Sequence, residues 1–225
     1  MSQSVQIDAA AARPRHAAKR HTGRWVIAGL VVVLLVAMGF GTKFVTPLEA
    51  SKASSTGVDP ATFAKDNYDE IAGKISDRAT PLPEVATAMS QDQTAAAKKY
   101  AVGSGPSATY SVKFTGTAGK ADPETGYLPV TVDGMPDGVG VSVQTGPALL
   151  GTALRDASGE VTFPMFTNQL DYQSAGDELN KQMKQKVLSK VDSAALSGSK
   201  ITVVGAFQPV NPDVLLVMPV SIEES

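Results

Sequence analysis

Cysteine is absent from all 225 residues, which removes disulfides, thiol catalysis, thiolate metal sites and lipid attachment to a cysteine. Both histidines, His16 and His21, lie within the first 24 residues. The rest of the chain therefore lacks the commonest general base and the commonest metal ligand. A Ser-His-Asp triad cannot be assembled there from one chain, and there is no G-x-S-x-G elbow. Positive charge is scarce as well: residues 46–225 hold 14 Lys and Arg against 21 Asp and Glu, a net of −7. Nucleic-acid binding needs concentrated positive charge to displace phosphate counterions, so that partner class is excluded. With no staple available the fold must rest on its core, and about 180 residues suffice for one domain.

One long apolar run is present. Trp25 to Thr42, 18 residues without a charge, would span roughly 27 Å as a helix, close to the ~30 Å hydrocarbon core of a bilayer. The arm before it carries Arg13, Arg15, Lys19, Arg20 and Arg24 against one acid, Asp8. The positive-inside rule keeps that arm cytoplasmic and sends the remainder outward. The run is longer than a signal-peptide apolar region and lacks a well-placed cleavage site, so it reads as a retained single-pass anchor in the inner membrane. The expected layout is a basic cytoplasmic arm at 1–24, a transmembrane helix at 25–42, a tether at 43–58 and an extracytoplasmic domain at 59–225.

Within that domain, Asp59 and Pro60 suit a helix start, and Phe63, Tyr68, Ile71 and Ile75 follow at helical spacing. After Pro81 and Pro83 an Ala-rich pattern predicts a second helix over Glu84–Ala101. The period then changes to two. Strands are expected around Tyr110–Thr115, Tyr127–Val132 and Val139–Val143, the last two joined as a hairpin by the turn residues between Asp133 and Gly138. A short helical segment through Leu154, a strand over Glu160–Phe163 and a long helix from Ser174 to a stop at Gly198 come next. Strands at Lys200–Phe207 and Val214–Ile222 end the chain, the second nearly continuous in apolar residues and expected to be buried on both faces. The fold class is α+β: N-terminal helices over 59–101, then over 103–225 a small antiparallel β-barrel of the oligomer-binding (OB) type, with a long helix before its last two strands. An open sheet with helices on one face has the same linear order.

No catalytic residue, metal ligand or cofactor site stands out. Ser197 and Lys200 match S-x-x-K but lack its companion motifs. Asp156 with Glu160, and Asp171 with Asp177, are the nearest candidates for paired carboxylates. Asp156, Ser158 and Glu160 give only a fragment of a calcium loop. The most unusual stretch is Gly146–Tyr172. Arg155 is the only cation between Lys120 and Lys181, able to hold an anionic group or to pair with Asp156 or Glu160. Phe163, Phe166, Asn168, Gln169 and Tyr172 read first as core aromatics with a helix-capping Asn168, and otherwise as the aromatics and amides of a sugar or peptide groove. The candidate ligand-binding residues are Arg155, Asp156, Asn168, Gln169 and Tyr172.

The strings GTALRDASG (151–159) and FTNQLDY (166–172), with FVTPLEA (44–50) and VVGAF (203–207), resemble a bacterial family of predicted periplasmic lipoproteins of unknown function. The resemblance implies an envelope protein with an OB-like barrel, sometimes encoded beside sugar-import transporters, with no established activity or catalytic residue. This chain departs from the lipoprotein pattern in having no cysteine to acylate, which leaves the 25–42 helix as its anchor. The expected function is a membrane-anchored, non-enzymatic accessory or binding protein, with the membrane, a transport complex or a small saccharide as partner. A carboxylate-dependent envelope hydrolase and a structural assembly protein are the alternatives.

Overall fold

A computed structural model of the chain describes residues 57–225, all within a compact unit of residues 51–225. The basic arm, the expected transmembrane helix and nearly all of the tether lie outside the described residues. Among the described residues no helix is long and apolar enough to cross a membrane.

Helix α1 (Pro60–Arg78) starts where its cap signal places it. The Asp59 side chain accepts a hydrogen bond from the Thr62 N–H at 2.8 Å, and Pro60 occupies the first turn. Its buried face is Phe63, Ala64, Tyr68, Ile71 and Ile75. The expected second helix is two helices, α2 (Leu82–Gln91) and α3 (Gln93–Tyr100), broken at an extended Asp92. The Asp92 carboxylate accepts from the Thr94 and Ala95 N–H groups at 2.9 and 3.0 Å. A side chain that bonds the backbone ahead of it starts a new helix there rather than letting the old one pass through.

The described residues hold seven strands, numbered in chain order: β1 (Thr80–Pro81), β2 (Ala101–Val102), β3 (Thr109–Ala118), β4 (Tyr127–Thr131), β5 (Gly140–Gln144), β6 (Lys200–Phe207) and β7 (Val214–Glu224). The last five close into a barrel in the order β3-β4-β5-β7-β6, with β6 returning to β3 over the register Tyr110↔Phe207 to Thr117↔Lys200. Every barrel pairing is antiparallel except β5 with β7, which are parallel. Closure removes the sheet edges that would otherwise stay unpaired. The two-residue β1 and β2 both add to β3.

Two hydrophobic cores share the barrel wall. The inner one joins Tyr110, Val112, Leu128, Val143, Val203 and Val217 to Leu82, Val85 and Ala86 of α2, which closes one mouth. The outer one packs α1, α4 (Ala153–Ala157) and α5 (Gln169–Lys186) on the outside of β6 and β7 through Ala206 and Met218. Strand β7 is accordingly buried on both faces only around Val217–Pro219, where inner core and helical layer meet, and half-buried or exposed from Val220 onward.

Three further expectations are corrected. The predicted strand at Glu160–Phe163 is irregular chain leading into a 3-10 turn at Phe163–Met165, because Val161 alone turns inward while Phe163 stays 46% exposed. Helix α5 begins at Gln169, not Ser174, and its N-cap is Asn168, whose Oδ1 accepts the Asp171 N–H at 2.9 Å. Its first turn carries Leu170 facing solvent, 70% exposed, so apolar periodicity begins only when Ala175 reaches the core. The helix ends at Lys186, and Gly198 (φ +86°) serves instead the turn that feeds β6. The segment at 146–152, expected to be helical, is loop, with helix only from Ala153. Asn168→Ala removes the α5 cap and should lower stability by about 1 kcal/mol in urea unfolding, whereas Ser174→Ala, in mid-helix, should change it little.

Candidate functional site

Alternation in the β4–β5 hairpin sorts its residues onto two faces. Leu128, Val130, Val141 and Val143 point into the inner core, so Tyr127, Pro129, Ser142 and Gln144 face outward. Tyr127 pairs with Gln144 and Pro129 with Ser142, and across the parallel ladder Ser142 meets Leu216 and Gly140 meets Val214. Of these residues Tyr127, Ser142, Gln144, Val214 and Leu216 form the floor of a groove of about 440 Å³, whose walls are Leu150 and Gly151 on one side and Gln208, Val210 and Asn211 on the other.

Two properties distinguish this groove. Leu150 is 59% exposed, Val210 87% and Val214 36%, and all three line it beside the Tyr127 ring. Grouped exposed apolar side chains on a folded surface mark a contact site more often than scattered ones. In addition, no ionisable acid or base other than the Tyr127 phenol lines it, within a segment whose net charge is −7. The Gln144 amide is committed to holding the wall: its Nε2 donates to the Leu150 carbonyl at 2.9 Å and its Oε1 accepts the Leu150 N–H at 2.8 Å. The Asn211 Oδ1 accepts the Asp213 N–H at 2.9 Å, fixing the six-residue turn between β6 and β7.

Behind the Gln208 wall lies the cluster that the sequence singles out. Arg155 donates through Nε to Asp156 Oδ1 at 2.7 Å, through one terminal nitrogen to Asp156 Oδ2 at 3.2 Å and through the other to the Tyr172 carbonyl at 3.1 Å. Its guanidinium lies 3.8 Å from the centre of the Tyr172 ring. Asp156 Oδ2 also accepts from the Thr152 hydroxyl at 2.7 Å and from Gln208 Nε2 at 3.0 Å, and Gln208 Nε2 lies 3.1 Å from the Thr109 hydroxyl. The Tyr172 ring contacts Phe163 and Phe166 at centroid distances of 6.0 and 5.8 Å. Burial raises the Tyr172 phenol above its usual range against the opposing pull of Arg155.

The structure thus brings Arg155, Asp156 and Tyr172 together, with the guanidinium engaged internally. Asn168 caps α5, its Nδ2 donating to Asp171 Oδ2 at 2.9 Å, and Gln169 is exposed beside Leu170 at the same helix start. Three of the four candidate carboxylates are likewise occupied: Asp156 by Arg155, Glu160 by Lys74 of α1, and Asp171 by Asn168. The groove residues Tyr127, Leu150, Gln208, Val210 and Val214 escape the sequence reading. The available signal was the outward phase of the hairpin, Tyr127 opposite Ser142 and Gln144, which is easily passed over as a solvent face.

A closed five-strand barrel with one parallel pair, a helix between its third and fourth strands and a groove over its second and third defines an OB-type barrel protein. The family model described as "Predicted periplasmic lipoprotein (DUF2291)" matches residues 30–223, and the chain belongs to that family. Its location is accordingly extracytoplasmic, in the cell envelope. Among solved structures the chain is similar to an OB-fold protein from Thermotoga maritima, at 19% identity and a TM-score of 0.60, covering 76% of this chain and 100% of that one. That likeness concerns the fold. No curated protein matches the chain.

Proposed function

We propose that this protein is a non-enzymatic binding or accessory protein of the cell envelope, held at the inner membrane by the helix at 25–42, and that its β4–β5–β7 groove takes a short neutral saccharide. The observation that carries the reading is the meeting of Tyr127, Leu150, Val210 and Val214 with the amides of Gln208 and Asn211 in one groove without a formal charge. Sugar rings offer an apolar face to an aromatic or aliphatic side chain and a rim of hydroxyls to amides, which is the chemistry this lining supplies. The groove also lies over the strands that serve as the ligand face in OB-type barrels generally.

Arg155, Asp156 and Tyr172 then act behind the groove, fixing Gln208 through Asp156 Oδ2. Asn168 sets the start of the helix that carries Tyr172, and Gln169 is the exposed member of the group. Association with a sugar-import complex is part of the same proposal, supported by the resemblance of the Gly151–Tyr172 strings.

The barrel and both hydrophobic cores are built from residues within 57–225, so residues 51–225 can be studied alone. Isothermal titration calorimetry of that fragment with neutral and with charged oligosaccharides should show saturable binding of a neutral one. Tyr127→Ala should weaken it about tenfold with an unchanged circular dichroism spectrum. Binding by no neutral saccharide, or full affinity in the Tyr127→Ala variant, rules the groove out. Recovery of the intact chain in the soluble fraction at full size would remove the anchor.

A further inference from the structure

On the other side of the 208–213 turn, two depressions run together over the barrel mouth under α2 and α3. The first, of about 380 Å³, is walled by Ala86, Met89, Val139, Pro212 and Leu215. The second, of about 410 Å³, is lined by Thr94, Lys98, Ser104 and Tyr110. Gln93 and Pro209 border both, so the two depressions adjoin as a two-part channel. The first depression is mostly aliphatic, and the second adds the Thr94 and Ser104 hydroxyls and the Lys98 ammonium to a lining that is otherwise largely apolar.

The charge of the lining is one-sided. Among all residues bordering either stretch, Lys98 alone carries a formal charge, although acids outnumber bases in the segment as a whole. Lys98 takes part in none of the ion pairs found among the described residues. Its neighbour Lys99, by contrast, bonds the Tyr100 hydroxyl and approaches Glu84.

A second, independent observation comes from the floor. Tyr110 stacks on Phe207 with ring centroids 5.2 Å apart, and its hydroxyl is buried without a hydrogen-bond partner. Folded proteins pair nearly all such groups, and this one belongs to a residue that lines the second depression. Met89 adds a flexible side chain that can adjust to an apolar guest.

We propose that this channel binds a single-chain anionic amphiphile. The acyl chain lies along the Met89 stretch, and the anionic head meets the Lys98 ammonium with the Tyr110 hydroxyl donating to it. A fatty-acid carboxylate and the phosphate of a single-chain phospholipid share this chemistry. The 208–213 turn lies between this site and the saccharide groove, and Asn211 of that turn is the one residue lining both.

Calorimetric titration of residues 51–225, below micellar concentrations, with decanoate, a lysophospholipid bearing an anionic head, decanol and a decyl trimethylammonium salt tests the proposal. At least one anionic ligand should bind saturably, decanol about tenfold or more weakly by comparison and the cation not measurably. Saturation by decanoate alone, or by the lysophospholipid alone, supports the site and identifies the source of the head group. Lys98→Glu should cost about tenfold in affinity for the anion, and Met89→Trp should obstruct the chain. Tyr110→Phe should weaken binding while leaving unfolding cooperative, since the hydroxyl it removes has no partner in the fold. The proposal is overturned if neither anion saturates, if decanol binds as tightly as decanoate, or if the Lys98→Glu variant retains full affinity. Saccharide binding should be unaffected by Lys98→Glu, so failure of either site is visible separately.

Discussion

Replacing Gly126 by alanine should destabilise the domain by about 3 kcal/mol or more. Gly126 has φ +70°, a conformation that alanine adopts only at a cost of roughly 1 kcal/mol. Space is the larger problem. A β-carbon built on Gly126 falls 0.7 Å from the Gly146 carbonyl oxygen and 1.8 Å from its carbon. Both atoms belong to backbone, so no side-chain rotation relieves the overlap, and one loop must leave the other. The two loops are also bonded, with the Gly126 carbonyl accepting from the Thr145 N–H at 2.8 Å and from its hydroxyl at 3.0 Å. Gly138 supplies the control. It too has a positive φ, +81°, but nothing lies within 4 Å of its would-be β-carbon, so Gly138→Ala should show the conformational cost alone. Urea unfolding of residues 51–225 reads the difference, and for a chain of this size each 1 kcal/mol lowers Tm by about 2–4 °C. Equal losses in the two variants would contradict the close approach. Because Gly126 immediately precedes Tyr127, the first variant should also lose the saccharide affinity proposed for the groove.

What the sequence reveals of this fold depends on the range of the interaction involved. The Asp59 cap, the β4–β5 hairpin and the alternating strand over Tyr110–Thr115 are set by residues close in sequence, and each is present in the structure. The barrel order is readable because a helix between β5 and β6 belongs to a known arrangement. Closure is not readable in the same way. It rests on β3 pairing with β6 and β5 with β7 in parallel, registers that no local pattern encodes. Two of the errors at helix ends, the break in the second helix and the start of α5, share one cause: Asp92 and Asn168 bond the backbone ahead of them, and such side-chain caps override propensity and periodicity.

The same distinction separates the two parts of the candidate site. Arg155 and Asp156 are neighbours in sequence, so their pairing was one of the stated alternatives, and the structure contains it. The involvement of Gln208 with Asp156 joins positions 52 residues apart. Tyr127 and Val214 reach the same groove only because β5 lies between β4 and β7. A composition scan finds chemistry concentrated along the chain, as in Gly146–Tyr172, but a groove assembled from three strands and the segments between them leaves no such concentration.

Replacing Arg155 by methionine should lower stability by about 3 kcal/mol. The side chains of Arg155 and Asp156 are only 10% and 17% exposed, so removing the guanidinium leaves a carboxylate largely shielded from water with its cation gone. The aliphatic length of methionine retains much of the packing on Tyr172, which confines the loss to charge and hydrogen bonds. Asp156→Asn placed on that background removes the stranded charge while keeping a carbonyl oxygen for Thr152 and Gln208, whose bonds to Asp156 Oδ2 are 2.7 and 3.0 Å. The double variant should therefore be more stable than Arg155→Met alone, and a double-mutant cycle by urea unfolding should return a coupling of about 1–3 kcal/mol. The alternative role for Arg155, a guanidinium reserved for an anionic ligand, has the opposite signature. In that case Arg155→Met would leave stability near wild type while abolishing anion binding. With the side chain already bonded to Asp156 and to the Tyr172 carbonyl, the larger response should be in folding, with saccharide affinity falling secondarily as Gln208 loses its fixed position at the wall of the groove.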